Sequence, residues 1–265
     1  MSNPLPRFLA AGVVLVILFF QAGTLVSSTR KPDLQQRLGH ANKAYTQGRY
    51  KDAIAGYNDL IGDYGLSPEL LHNLANSYAA DGRYGRAVLN YLRALRLAPA
   101  ADDLRADLAL IRKKVGLFND ERTLSERFFS YYTMNQWLTR ALLGYILLTI
   151  VLALNSRFHF KKGVYGSSLT LAGLIIICCI SAYSQRQEWD GGVVTEPDTR
   201  LLLSPFKTAA SNGSLLEGTL VYSKKLHEDY HYVMDERGRS GWIPSASFEP
   251  INTTSFTYRH GDAGR

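Results

Sequence analysis

Five consecutive residues, His227-Glu228-Asp229-Tyr230-His231, satisfy the spacing of a zinc protease, in which two histidines four apart on a helix turn their rings to one metal while the glutamate activates water. That chemistry needs a helix. The flanking runs are strand-like, and on a strand the two histidines stand about 13 Å apart, too far for ligands near 2 Å from one ion. The 34 residues after His231 offer only His260, in a polar tail, as a third ligand, so the motif is read as coincidence. The two cysteines, Cys178 and Cys179, are adjacent inside an apolar run, which excludes a disulfide framework and a tetrathiolate zinc site. No phosphate-cradling glycine loop, nucleophile elbow or paired-carboxylate site stands out. No catalytic residue, metal ligand or cofactor is assigned, and the expectation is a protein that is not an enzyme.

The residues suited to recognition are polar and repeat. Shifted by 34, the chain superposes Ala41 on Ala75, Asn42 on Asn76, Gly48-Arg49-Tyr50 on Gly82-Arg83-Tyr84, Ala53 on Ala87 and Tyr57 on Tyr91. Such a period means stacked helix–turn–helix units. The small residues let paired helices touch, the glycines permit the turn, the tyrosines and leucines fill the groove, and Pro99 ends the second unit. The pattern resembles the tetratricopeptide repeat over 34–116, with copies at 34–67 and 68–101 and a capping helix at 102–116. Stacks of this kind bind along the concave face formed by the first helix of each copy. Asn42 and Asn76 lie there, and an asparagine offers both donor and acceptor to an extended peptide backbone; Tyr45, Glu69 and His72 are assigned to the same surface. The plainer reading makes the asparagines solvated helix residues. A carboxylate clamp is not assigned, because Leu38 and Ala106 stand where basic partners would be needed. Two copies are fewer than the three or so such stacks usually need, so a partner or a membrane is expected to complete them.

The elements holding this surface follow from apolar runs and charge. The 265 residues carry 30 Lys and Arg against 23 Asp and Glu, a net charge of +7 scattered without a basic run; nucleic-acid binding is not expected. Residues 1–28 read as a signal peptide or an uncleaved membrane anchor. Two further apolar segments, 136–155 and 164–184, are each long enough to span a bilayer. The loop between them, 156–163, carries Arg157, Lys161 and Lys162 and no acid, which keeps it on the cytoplasmic side. The flanks of such a hairpin share the outer side, and the leading export segment independently assigns the same side. Residues 117–135 read as an interfacial linker, with its Phe128, Phe129, Tyr131 and Tyr132, and Trp137 at the start of the span, at headgroup depth.

From 191 to 252 the pattern changes to short strands: Val193–Thr195, Arg200–Leu203, Thr219–Tyr222, Tyr230–Met234 and Gly241–Ile243. Five strands in about sixty residues suggest a small closed barrel. The run Gly241-Trp242-Ile243-Pro244-Ser245-Ala246-Ser247-Phe248 and the step Glu217-Gly218 resemble a bacterial SH3 domain. The resemblance implies an aromatic groove for peptide, assigned to Tyr230, Tyr232, Trp242, Pro244 and Phe248, although aromatics in so small a domain also serve as core. Residues 253–265 form a polar tail.

The fold class is thus multidomain: all-α tetratricopeptide (TPR) repeats, transmembrane helices and a small all-β SH3-like barrel. Their order over the whole chain resembles the tetratricopeptide members of the bacterial Bat (Bacteroides aerotolerance) family. That resemblance implies an integral membrane protein of the bacterial inner membrane with both domains facing the periplasm. It also implies, as partners, von Willebrand factor A-domain membrane proteins and a MoxR-type AAA+ ATPase, in a setting of oxygen or envelope-stress tolerance. The expected function is a non-enzymatic membrane-anchored adaptor. The alternative is an envelope-anchoring module whose barrel binds cell-wall peptide while the repeats recruit a client.

Overall fold

The computed structural model describes residues 32–117, 132–158, 163–188 and 191–252. The segment 1–28, Phe128, Phe129 and Tyr131, the centre of the basic loop and the tail 253–265 lie outside the described residues. The fold is mixed. Seven helices are described: α1 (Pro32–Thr46), α2 (Tyr50–Tyr64), α3 (Pro68–Ala80), α4 (Tyr84–Leu97), α5 (Asp102–Lys114), α6 (Met134–Phe158) and α7 (Gly163–Glu188). They are followed by seven strands: β1 (Gly192–Val194), β2 (Thr199–Leu202), β3 (Ser211–Leu215), β4 (Leu220–His227), β5 (Tyr230–Asp235), β6 (Ser240–Pro244) and β7 (Phe248–Pro250).

The first four helices make two copies of one hairpin, and the repetition reaches individual hydrogen bonds. Gly48 and Gly82 turn the chain with φ of 74° and 81°, a region that costs glycine least. In each copy the next arginine N–H reaches back to the end of the preceding helix, Arg49 to Ala44 O and Arg83 to Tyr78 O, both at 2.9 Å. Ala53, Ala75 and Ala87 are fully buried where helices cross, and Leu71, Leu74, Tyr57 and Tyr91 fill the space between them. Ser67 caps α3, its Oγ accepting the Leu70 N–H at 3.2 Å, with Pro68 in the first turn, where its missing N–H costs nothing. α5 closes the layer with Leu104, Leu108 and Ile111 inward. In α4, ten of the 14 residues are buried. A helix covered on one side cannot bury that many, and the β-sheet lies on its other side.

The sheet is antiparallel, ordered β3-β2-β6-β5-β4-β1-β7. It curls into a half-barrel around Val194, Leu201, Leu215, Val221, Val233 and Ile243, with Phe248 packed against them. The expected closed barrel is corrected on two points: β3 and β7 remain edges, and there are seven strands. Strand β3, Ser-Asn-Gly-Ser-Leu, buries only Leu215 and so lacks the alternation that marks a half-buried strand.

α6 and α7 pack along each other, with Ile175 Cγ1 only 3.1 Å from where a Cβ on Gly144 would stand. Among the described residues one helix is long and apolar enough to cross a bilayer, α6 over Asn135–Leu154 with mean hydropathy 1.9. Within α7 the run Ser168–Tyr183 is apolar. Both helices also run past their expected ends, so the connection shrinks to 159–162 and only 189–191 separate α7 from β1. A capping box opens α6: Gln136 N–H bonds Thr133 Oγ1 at 3.3 Å, and Thr133 N–H bonds Gln136 Oε1 at 3.0 Å. Tyr132 is held between Trp137, edge-on at 5.3 Å, and the Arg140 guanidinium at 3.7 Å.

Candidate interaction surfaces

Four of the five residues assigned to the helical surface are drawn into one network, whose other half the sequence reading missed. The Tyr57 hydroxyl donates to Asn42 Oδ1 at 2.7 Å, and the Tyr91 hydroxyl makes the equivalent bond to Asn76 Oδ1. His72 Nε2 meets Asp107 Oδ2 at 2.8 Å, tying α3 to α5, and its ring lies 5.9 Å from that of Tyr91. Tyr45 stacks at a tilt on Tyr50, ring centroids 5.7 Å apart. Glu69 stands exposed in the first turn of α3, where its charge complements the helix dipole. Tyr57, Tyr91 and Asp107 were the missed members. The signal for the two tyrosines was the fixed interval of 15 residues between asparagine and tyrosine, repeated in both copies.

These contacts revise what the asparagines can do. Each amide oxygen is already an acceptor for a phenol, which leaves the Nδ2 donors for a ligand's carbonyl or carboxylate oxygens. The phenols keep their protons. Burial, aided by the nearby Tyr45, pushes Tyr57 up to about 12; burial, then Asp107 and Tyr45, raises Tyr91 further.

In the β unit, strand register decides which aromatics share a face. Pairing sets Tyr230 opposite Pro244 and Tyr232 opposite Trp242, all on the face turned away from Val233 and Ile243. Tyr232 and Trp242 rings meet edge-on at 5.3 Å, and the Tyr232 hydroxyl bonds Ser240 Oγ at 3.0 Å. Phe248 is not part of this surface. It follows a single turn of 3-10 helix, Ser245–Ser247, and points inward, so close to Gly192 that a Cβ there would lie 2.2 Å from its ring. The histidine pair is separated too. Glu228, at φ 47°, turns the chain between β4 and β5, so a hairpin rather than one strand carries the motif. His227 falls against Trp242, at 6.1 Å, and His231 against Phe248, at 4.5 Å.

His231 also bonds Ser223 Oγ through Nδ1 at 2.9 Å, and desolvation lowers its pKa below the usual 6.5. Below pH 6.5 the unfolded chain therefore binds a proton that the folded chain resists. Stability is expected to fall as pH drops from about 6.5 through the lowered value, and His231→Gln should flatten that dependence. Denaturant titrations between about pH 7 and 5 check it; an unchanged slope in the variant would mean that His231 is not the group responsible.

The surface that sequence reasoning missed altogether joins the two parts. Arg83, the residue preceding α4, offers no side-chain cap; the Glu217 carboxylate supplies one from the β3–β4 connection, accepting the Gly85 N–H at 2.8 Å. A carboxylate at a helix N-terminus satisfies an orphan donor and the dipole together. Arg93 donates to Pro250 O at 2.9 Å and Arg96 to Asn252 Oδ1 at 2.6 Å. Arg112 pairs with Glu236 at 2.7 Å and Arg86 with Glu249 at 3.5 Å. Between these polar contacts Val88 and Leu117 close on Gly218. No protein-family model and no curated protein sequence matches the chain.

Proposed function

We propose that the chain is a membrane-anchored adaptor without a reaction of its own, in which tetratricopeptide-like helices and an SH3-like half-barrel act as one outward-facing body over a two-helix membrane hairpin. The observation that carries this reading is the joint. The helical layer precedes α6–α7 in sequence and the half-barrel follows it, yet Glu217, Arg93, Arg96 and Arg112 bind one to the other. Parts in mutual contact lie on one side of a bilayer, as an even number of crossings requires. The spanning role of α6–α7 is supported by apolar side chains exposed around both helices, among them Leu142, Tyr145, Leu169, Leu174 and Ile180, which an aqueous setting would penalise. The basic residues of the connection support a cytoplasmic connection and an outward-facing body. The two helix hairpins offset by 34 residues support the tetratricopeptide assignment. The strand order and the 3-10 turn before β7 support the SH3-like one.

The function follows from one available surface. The half-barrel covers the α4 side of the layer, so the Asn42–Asn76 side faces a client, presenting amide donors to a peptide's oxygens. The setting proposed is the Bat complex, with von Willebrand factor A-domain membrane proteins and a MoxR-type ATPase as partners. Because the two parts share a joint, deleting either would expose apolar surface, and point variants test the idea more cleanly. Cross-linking in native membranes should recover A-domain proteins with the unmodified chain. Asn42→Asp with Asn76→Asp, which replaces donors by negative charge, should lower that recovery by an order of magnitude, with melting unchanged. Equal recovery from both chains would remove the helical surface from the function.

A further inference from the structure

We propose that the outer aromatic face of the β4–β5–β6 ribbon, from Tyr222 through Tyr232 to Trp242, rests in the headgroup layer of the bilayer that α6 and α7 enter. The inference rests on the membrane reading above and adds to it a lipid-binding surface on the half-barrel. The first ground is reach. α7 ends at Glu188 and β1 begins at Gly192; the residues between extend at most about 10 Å, and headgroups occupy roughly 5–8 Å on each side of the hydrocarbon. The five polar residues that follow Tyr183 in α7 add about 8 Å, so helix end and tether together hold the half-barrel within about 18 Å of the hydrocarbon, near enough for one of its faces to meet the headgroups.

The second ground is where the tether arrives. Gly191 abuts Leu220 and Tyr222, whose Cδ1 and Cε1 would each lie 3.3 Å from a Cβ at that position. Tyr222 opens the outer face. Register then carries that face outward through Met234, opposite Tyr222, and through Lys225, opposite Tyr232, to Trp242, opposite Tyr232 on its other side. The helical layer holds β1, the β3–β4 connection, β7 and the β5–β6 turn.

The third ground is chemistry. Tyrosine and tryptophan, apolar in the ring and polar at the tip, prefer the headgroup region, and Lys225 beside them can lift its ammonium to phosphate oxygens. Tyr232, Trp242 and His227 already form a ring cluster, at 5.3 and 6.1 Å from the indole. The acids of this ribbon end, Glu228 and Asp229, are confined to the turn.

The test uses the full chain in phosphatidylcholine and phosphatidylglycerol vesicles, with Trp137→Phe and Trp189→Phe leaving Trp242 as the reporter. Lipids spin-labelled near the headgroup should quench its emission, lipids labelled deep in the acyl chain should not, and aqueous iodide should reach it poorly. A companion chain adds Trp242→Phe and Leu147→Trp, placing the reporter mid-way along α6. If Leu147→Trp is quenched from the deep position while Trp242 is open to iodide, the lipid face is wrong and the hairpin stands. If neither is quenched by lipid, the membrane reading itself fails. Protection of Trp242 that vanishes on diluting protein in lipid would assign the face to a second copy. Protection that appears only on adding purified peptidoglycan would assign it to cell-wall binding. Either result overturns the proposal.

Discussion

Gly85→Ala is expected to destabilise the full chain by about 1–3 kcal/mol, the usual cost of forcing atoms into a packed joint. At an ordinary helix position the same change gains about 0.5–1 kcal/mol, because alanine loses less freedom on folding. Here the sign reverses. A Cβ on Gly85 would stand 2.7 Å from Val194 O and 2.8 Å from Thr195 Cα, and backbone atoms of a sheet cannot step aside. The displaced β1 would also draw Glu217 away from the N-terminus of α4. Thermal melting of detergent-solubilised protein should fall by about 2–4 °C per kcal/mol in a unit of this size. Lys51, the residue that the repeat aligns with Gly85, is exposed, so Lys51→Ala should leave melting unchanged. A rise in melting temperature for Gly85→Ala would mean that the joint does not form.

Tyr91 supports the second large effect. It is 2% exposed and among the largest fully enclosed side chains, so Tyr91→Ala should cost about 3–5 kcal/mol in lost burial and residual cavity. Tyr91→Phe keeps the ring and removes only the bond to Asn76, for about 1 kcal/mol. The raised phenols add a pH signature. Both contribute stability fully below pH 10, the unfolded value, and lose it as pH rises through the folded value, about 12 for Tyr57. Tyr57→Phe with Tyr91→Phe should therefore weaken the alkaline loss of stability, read from denaturant midpoints near pH 9 and 11. Equal alkaline slopes in variant and parent would mean that the two hydroxyls are not held as described.

The helix hairpins were legible because two physical requirements repeat in register: a glycine wherever φ turns positive and a small residue wherever helices cross. The half-barrel was partly legible. Strand β6 and the end of β5 alternate and β1 and β2 are apolar runs, whereas β3 is polar with a central glycine and owes its place to pairing with β2 rather than to its own pattern. Phe248 was misassigned because the 3-10 turn before it sets which face it meets, and that is not written in its type. The joint was present in the sequence as a difference between the copies. Asp52, Ala55, Asp59 and Gly62 on α2 are exposed, while their counterparts on α4 are Arg86, Leu89, Arg93 and Arg96. Where one copy faces water and the other faces a sheet, the repeat must diverge. Looking for likeness alone passed over it.

Long-range partners were the least legible part. Glu217 and Gly85 are 132 residues apart, and a carboxylate cap supplied from that distance leaves no local pattern, unlike the Thr133–Gln136 box that opens α6. The same holds for Asp107, which reaches His72 across 35 residues and is set by helix packing.

The claim on which the rest depends is that the helical layer and the half-barrel share one side of the membrane, joined to each other across the hairpin. Single cysteines test it in a chain with Cys178→Ser and Cys179→Ser: Asp103→Cys on α5, Lys207→Cys on the β2–β3 connection and Lys161→Cys between α6 and α7. A membrane-impermeant maleimide applied to intact spheroplasts should label the first two and reach the third only after permeabilisation. Labelling of Asp103→Cys and Lys207→Cys from opposite sides would contradict the account.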